Sequence, residues 1–538
     1  MEDRRVVMEK EQTNNIVRGA IILTIAGLLS KVLSATYRIP LQNLTGDLGF
    51  YIYQQVYPLL GTVMILALYG FPVAISKLTA EQKAQHKSMT AFYLPLLTIL
   101  MIMNGAFFVL LYVLAPTISV WIGDEQLVSA FRLAAWTFIL IPFLALLRGV
   151  SQGHGQMKQT AYSQVVEQFI RVTIIIVASY LIFIERLDIY EIGEAGAIAT
   201  LVGMGVAIIL LILSIPKQMK NKQPPQINKG QKSPIPWTYY IKTCFTLGVL
   251  ATFNHLILLL MQMVDMLTLV PSLIQYGLSS VEAMEAKGIF DRGQPLIQFG
   301  VVFGSAFALA LIPNVIHKEA SDVQAGAVRD ALLFGFYLAF GATIGLFSVM
   351  KETNMLLFTN STGTSSLQIL SLTIVLTSIT ITTATVLQSL GKVKWILYLI
   401  VSAVVLKTIL NRVLVPNIEI MGSAIATVVS MCFLCVATSI ILHKKLPIVQ
   451  FMRHIRWGPL LVASSGMVLY ILLMQYVWFY FLEPTRLVLL LYIVVIVSTG
   501  ALLYVLLLLR YNVLTNKQIQ ALPFSTIILK WKTKVQKN

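Results

Sequence analysis

The sequence predicts an all-α integral membrane protein of about fourteen transmembrane helices, two six-helix lobes related by a parallel repeat plus two C-terminal helices. Three observations predict it: apolar runs of span length recur along the whole chain, basic residues fall in alternate connections, and three short motifs repeat in order. The 538 residues are 57% hydrophobic and 12% charged, against about half apolar and a quarter charged in soluble domains. A net charge of +17 would suggest nucleic-acid binding in a soluble protein. Here the cations sit in short connections, so the charge reads as topology and no nucleic-acid partner is expected.

A helix needs about 20 apolar residues to cross a bilayer core. Such runs lie at about 17–37, 54–76, 90–114, 128–148, 160–184, 195–215, 243–270, 292–316, 328–350, 367–388, 395–415, 421–442, 458–481 and 487–510. They are continuous rather than alternating, which selects helices over a β-barrel. The polar N-terminus is not a cleavable signal. Cys244, Cys432 and Cys435 lie inside apolar runs and read as packing residues, without a disulfide framework or metal site.

Orientation follows from Lys and Arg in short loops. The N-terminus carries Arg4, Arg5 and Lys10. Alternate connections then carry Lys77, Lys83 and Lys87; Arg148 and Lys158; Lys217 to Lys232; Lys318; Lys392 and Lys394; Lys444, Lys445, Arg453 and Arg456. The tail ends with Lys530, Lys532, Lys534 and Lys537. The intervening connections are poor in cations, and Asp124, Glu125, Glu185 and Asp188 make two of them acidic. Both termini are therefore expected in the cytoplasm, in a multi-pass protein of a cell membrane.

The polar stretch 217–236 reads as a cytoplasmic linker. It divides an N-lobe (1–216, spans one to six) from a C-lobe (237–445, spans seven to twelve), with 446–538 holding the last two spans and a basic tail. Gly70–Glu81 resembles Leu311–Asp322, Arg148–Lys158 resembles Thr385–Lys394, and Glu194–Thr200 resembles Met421–Thr427, each at an offset of about 230–240 residues. An even number of spans per half gives both halves the same orientation.

The stretches Gly27–Leu60, Gly70–Glu81 and Ala286–Val315, with Asp-Arg-Gly-Gln-Pro opening span eight, resemble the polysaccharide-transporter branch of the multidrug/oligosaccharidyl-lipid/polysaccharide exporter superfamily. The resemblance is to the lipid II flippases of Gram-positive bacteria and to stage V sporulation B-type proteins. It implies a V-shaped two-lobed bundle with a central cavity and alternating access. The implied substrate is a polyprenyl-pyrophosphate-linked sugar.

Ionisable groups inside spans are costly and usually face a cavity or a partner. Lys31 and Arg38, near the outer end of span one, share a helix face; related flippases carry two arginines there, facing the cavity. Arg292 matches a cavity arginine of the family, suits pyrophosphate, and has Asp291 as its expected orienting partner, with Gln294 beside it. Gln54, Gln55, Gln298 and Asn254 are sugar-binding or packing residues. Asp265 reads either as a coupling acid or as the partner of Arg292 or Lys407. Lys407 and Asn411, four apart, share a face of span eleven. In sodium-binding relatives oxygen ligands come from spans seven, eleven and twelve; Thr427 matches one. Lys407 stands where another is expected, so the resemblance suggests an ammonium in place of the ion. Glu167 and Arg171 read as an intramembrane pair, His255 as a packed helix histidine, and Lys77 as a boundary marker.

No P-loop, HExxH or dinucleotide fingerprint is present. The expectation is a non-enzymatic flippase without a cofactor, whose driving force the sequence leaves open between an ion gradient, the membrane potential and none. Membrane lipids and a lipid-linked oligosaccharide, lipid II foremost, are the expected partners, with cell-wall synthesis machinery a further one. The alternatives are export of another lipid-linked glycan, a cation-coupled drug antiporter, which favours a less basic cavity, and a membrane glycan enzyme, which usually carries a large outer loop.

Overall fold

The computed structural model describes residues 22–23, 25–84, 90–214, 237–316, 321–446, 451–514, 516, 519 and 529–534. The predicted linker, the N-terminal Arg4, Arg5 and Lys10, and the connection residues Lys87 and Lys318 lie outside them. Every regular element among the described residues is helical. Below, "exposed" means uncovered by protein, whether lipid or water lies outside.

Helix α1 (25–36) passes through Tyr37 into α2 (Arg38–Ile65). The Tyr37 and Leu41 amides still reach carbonyls four residues back, at 3.3 and 3.1 Å, so the first span does not stop at Tyr37. The chain turns at Gly46, with φ 70° and ψ −171°, a conformation open to glycine. Arg38 therefore lies well inside the helix rather than near its outer end. Past the bend, α2 continues through a π-turn at Leu66–Gly70 into α3 (Phe71–Ala84).

Four long helices follow: α4 (Thr90–Ile122), α5 (Val128–Gly153), α6 (Met157–Phe183) and α7 (Glu191–Ser214). The seventh span is expected as one run but is broken. Short α8 (Trp237–Thr243) leads through a π-segment, Cys244–Val249, and a tight turn, Leu250–Thr252, into α9 (Phe253–Tyr276). Then come α10 (Ser280–Asp291), α11 (Gly293–Ile316), α12 (Ser321–Ser348), α13 (Met350–Phe358), α14 (Thr364–Ser371) and α15 (Thr373–Ser389). Helix α16 (Val393–Lys445) bends at Ile418 and Glu419, and α17 (Phe451–His454), α18 (Trp457–Phe481) and α19 (Arg486–Arg510) complete the series.

Among the described residues eleven helical stretches are long and apolar enough to cross a membrane. Two are double: Ile25–Gln82, 58 residues, bends at Gly46, and Val393–Lys445, 53 residues, bends at Ile418–Glu419. With these halved and α11 added, the observed order matches the fourteen predicted spans.

The chain forms two compact units. Residues 1–271 with 280–288 make the first, and 272–279 with 289–538 the second. Residues 253–271 of α9 and 280–288 of α10 group with the first unit. The core of the first unit gathers Phe71, Leu96, Phe138, Ile141, Met204 and Tyr240. Helix α10 seats there through Gly288, where a Cβ would meet the Asp47 carbonyl oxygen at 2.2 Å.

The repeat is visible in backbone hydrogen bonds. After α5, Gly155 takes φ 77°, its amide reaches Gln152 O at 2.9 Å, and Gln156 N reaches Ser151 O at 2.8 Å. After α15, Gly391 takes φ 74°, with Gly391 N to Gln388 O at 2.9 Å and Lys392 N to Leu387 O at 2.9 Å. Both are Schellman caps, which glycine permits by adopting a left-handed conformation. Likewise Thr200 donates to Gly196 O at 2.9 Å and Thr427 to Ser423 O at 2.7 Å. The matched motifs thus build matched ends and matched back-bonds.

Candidate functional site

In the first unit, Arg38 is fully buried. Its guanidinium carbon lies over the Tyr57 ring, 3.9 Å from the centroid, where the quadrupole of the ring favours a cation. Tyr37, Tyr53 and Tyr57 lie within electrostatic reach of its charge. Tyr37 and Tyr53 hydrogen-bond each other, with their rings edge to face at 5.9 Å. None of the three guanidinium nitrogens meets a hydrogen-bond acceptor among the described residues. Buried donors are normally satisfied, so this one presents a charged fork with stacking as its support.

Gln54 and Gln55 are buried on α2, and the Gln54 carbonyl and both Gln55 side-chain polar atoms find no partner among the described residues. Lys31 remains exposed and lies within electrostatic reach of His255. His255 stacks on Tyr69 at 4.8 Å and 17°. Asn254 and Asp265 are buried on α9.

The expected Glu167–Arg171 pair is present, with Arg171 Nη2 donating at 2.7 Å. A third member corrects the sequence reading. Arg148, taken for a connection charge, is buried and donates from Nη2 to Glu167 Oε2 at 2.7 Å. Its Nε reaches Ser163 at 3.1 Å, and its Nη1 reaches Ala67 O at 3.4 Å. That carbonyl belongs to the π-turn, where the widened spacing leaves backbone oxygens poorly served by the helix itself. The orientation argument keeps Lys158 at this position. One acid thus holds two buried guanidinium groups, leaving the triad with a net positive charge. By contrast, Lys77 is exposed and meets Glu81 at 3.9 Å on an open helix end.

In the second unit, Arg292 sits at the break between α10 and α11, its amide reaching Ile289 O at 3.2 Å. The Asp291–Arg292 pair therefore joins two helices rather than opening a span from a loop. Arg292 Nη1 donates to Asn360 Oδ1 at 2.7 Å and Asn354 Oδ1 at 3.3 Å, and its guanidinium lies 5.5 Å from the Phe358 ring. Asn354 in turn donates to Thr362 O at 2.9 Å and Thr364 Oγ1 at 3.3 Å. Sequence reasoning named Asp291 as the orienting group and missed these asparagines. Both lie close to Thr359 and Gly363, residues of positive φ between α13 and α14, and that turn was the available signal.

Asp291, Gln294, Lys407, Asn411 and Thr427 are all buried in the second unit. Lys407 and Asn411 lie one turn apart on α16, as expected. Thr427 returns its hydroxyl proton to its own helix, as Thr200 does. The candidates therefore divide, with Lys31, Arg38, Gln54, Asn254 and Asp265 in the first unit and the others in the second.

Eleven apolar helical stretches of span length among the described residues define a multi-pass membrane protein, and its fold resembles that of solved transporters of the multidrug/oligosaccharidyl-lipid/polysaccharide exporter superfamily. The chain belongs to the polysaccharide biosynthesis protein family, whose profile matches residues 16–317. It is 33% identical to the uncharacterised membrane protein YabM of Bacillus subtilis, over 97% of this chain and 98% of that one. It is 24% identical to the lipid II flippase MurJ of the same organism, over 77% of this chain and 80% of that one. Among solved structures, the fold resembles a lipid II flippase MurJ in an inward closed conformation, with a TM-score of 0.64 at 14% identity, over 90% of this chain and 98% of that one. It also resembles an inward-facing multidrug resistance transporter of the MATE family, with a TM-score of 0.55 at 16% identity, over 77% and 99%.

Proposed function

We propose that this protein is a flippase that moves a polyprenyl-pyrophosphate-linked sugar, with lipid II the leading candidate, from the inner to the outer leaflet. The observation that carries this reading is Arg38: a buried, stacked guanidinium whose donors find no acceptor among the described residues. A pyrophosphate supplies the multiple anionic oxygens that such a fork binds in pairs. Arg292, steadied by Asn354 and Asn360, is a second buried guanidinium suited to a phosphate within its own unit, and Lys31 adds a point charge to the first. A drug antiporter selecting cations gains nothing from these groups. Transport proceeds by alternating access of the two repeated halves, without ATP, with Asp265, Lys407, Asn411 and Thr427 linking transport to an ion gradient or potential. Gln54 and Asn254 in the first unit, and Asp291 and Gln294 in the second, are the polar groups offered to sugar hydroxyls, each within its own unit.

A second glycan has support of its own. Identity to an uncharacterised protein, 33%, exceeds that to the lipid II flippase, 24%, and a stage V sporulation protein B is 23% identical. The alternative cargo is a lipid-linked unit of another envelope polymer.

The deciding experiment is a leaflet-accessibility assay in proteoliposomes with defined lipid-linked sugars, with and without an ion gradient. Transfer of lipid II that Arg38→Ala abolishes is expected. Transfer of a cationic drug but of no lipid-linked sugar would sink the flippase reading, and selectivity for a different glycan would move the cargo to the alternative.

A further inference from the structure

A cavity of about 490 Å³ lies in the second unit where α13, whose Asn354 also meets Arg292, meets the ends of α18 and α19. Lys351, Glu352, Gln475, Tyr476, Phe479 and Tyr480 line it. Helix α13 is nine residues long, too short to cross a bilayer, and Arg486 Nε ties it to α19 through Leu356 O at 3.3 Å. The cavity therefore sits at the end of the spans. On the orientation argued from the loop charges, that end is extracytoplasmic.

Two opposite charges share this wall at different depths. Glu352 is only 4% exposed, and Gln475 Nε2 donates to its Oε1 at 2.6 Å. Burial holds its carboxyl above the ordinary acid range. Lys351, the next residue, is exposed at the rim. The Tyr492 hydroxyl is buried without a hydrogen-bond partner among the described residues, within electrostatic reach of Glu352. Tyr476 and Tyr480 stand 72% and 71% exposed, stacked at 6.2 Å.

A buried carboxylate requires a cation or a proton. Aromatic rims and neighbouring exposed apolar residues such as Leu473 and Phe481 belong at the headgroup depth of a bilayer. What occupies that depth is phospholipid. We propose that this cavity binds the headgroup of a zwitterionic phospholipid with a primary ammonium, a phosphatidylethanolamine. Its ammonium enters toward Glu352 and the tyrosine faces, its phosphate stays at Lys351, and its acyl chains run down the apolar outer face of α18. The order of charges, acid deep and base at the rim, matches that headgroup. Phosphatidylglycerol brings no cation, and choline brings no N–H to donate.

Native mass spectrometry of the full-length protein tests this, with added phosphatidylethanolamine, phosphatidylglycerol or phosphatidylcholine. Retention of phosphatidylethanolamine about tenfold better than of the other two is expected, the worth of one charge-assisted hydrogen bond. Glu352→Gln should bring the three to parity. Lys351→Gln, on an exposed side chain that leaves the fold intact, should weaken retention of all three without changing the melting temperature. Equal retention by the unaltered protein, a preference that survives Glu352→Gln, or retention unmoved by Lys351→Gln would each overturn the proposal. The result does not depend on which lipid-linked sugar is transported.

Discussion

Gly70 and Gly248 bring two helices into backbone contact: a Cβ on Gly70 would stand 2.5 Å from the Gly248 carbonyl oxygen. Each glycine lies in a π-turn, one between α2 and α3, the other between α8 and α9. A Cβ on Gly248 would meet Phe71 Cδ1 at 2.7 Å. In a membrane, where hydrocarbon gives no hydrophobic drive between helices, such small residues allow the close approach that packing requires.

Gly70→Ala should therefore separate these helices, because a carbonyl oxygen cannot swing aside as a side chain can. A loss of about 1–3 kcal/mol is expected for such overpacking. Thermal unfolding in detergent reads it, and an unchanged midpoint would show that the contact carries no stability.

Glu167→Gln leaves Arg148 and Arg171 buried without their shared anion. Removing one partner of a buried ion pair costs about 3–5 kcal/mol, so marked destabilisation is expected. Adding Arg148→Met to that variant should recover part of the loss, as in a double-mutant cycle. No recovery would argue against coupling of the two side chains.

Arg292→Lys keeps the charge, and an ammonium can still reach Asn354 and Asn360, both of which Arg292 meets through Nη1 alone, but it leaves no second nitrogen to bind a phosphate in pairs. Translocation should fall by about tenfold, and Arg292→Ala should abolish it while the protein still inserts. Full complementation by Arg292→Ala would remove this residue from the proposed site.

The Asp124 carboxyl, outside the spans, lies buried and accepts from Gln126 N and Tyr190 Oη, both at 3.2 Å. Burial outweighs these bonds and raises its pKa. The folded state thus holds the proton more tightly than the unfolded chain. Its stabilising share is complete below the unfolded value, about pH 4, and is lost as pH rises through the raised folded value. Asp124→Asn should flatten that part of the melting-temperature profile, and a wild-type slope in the variant would refute the assignment.

Transport should persist when sodium is replaced by potassium, since Lys407 places an ammonium where the resemblance calls for an ion ligand. Strict sodium dependence in proteoliposomes would reverse the role given to Lys407.

The sequence by itself determined the helical spans, because hydrocarbon forces backbone polar groups to pair within each segment and so writes topology into length and hydropathy. It also determined the repeat, since the Gly155 and Gly391 caps follow from local backbone chemistry, and the Glu167–Arg171 pair, one helical turn apart. Tertiary structure alone decided what lies between helices. Arg148 moved from a supposed connection to a buried triad because its partner stands on the next helix. Arg38 found Tyr57 across the bend at Gly46, and Arg292 found Asn354 and Asn360 more than sixty residues away. Periodicity reports which face of a helix is apolar, but a side chain's partner is chosen by the packing of other helices against it.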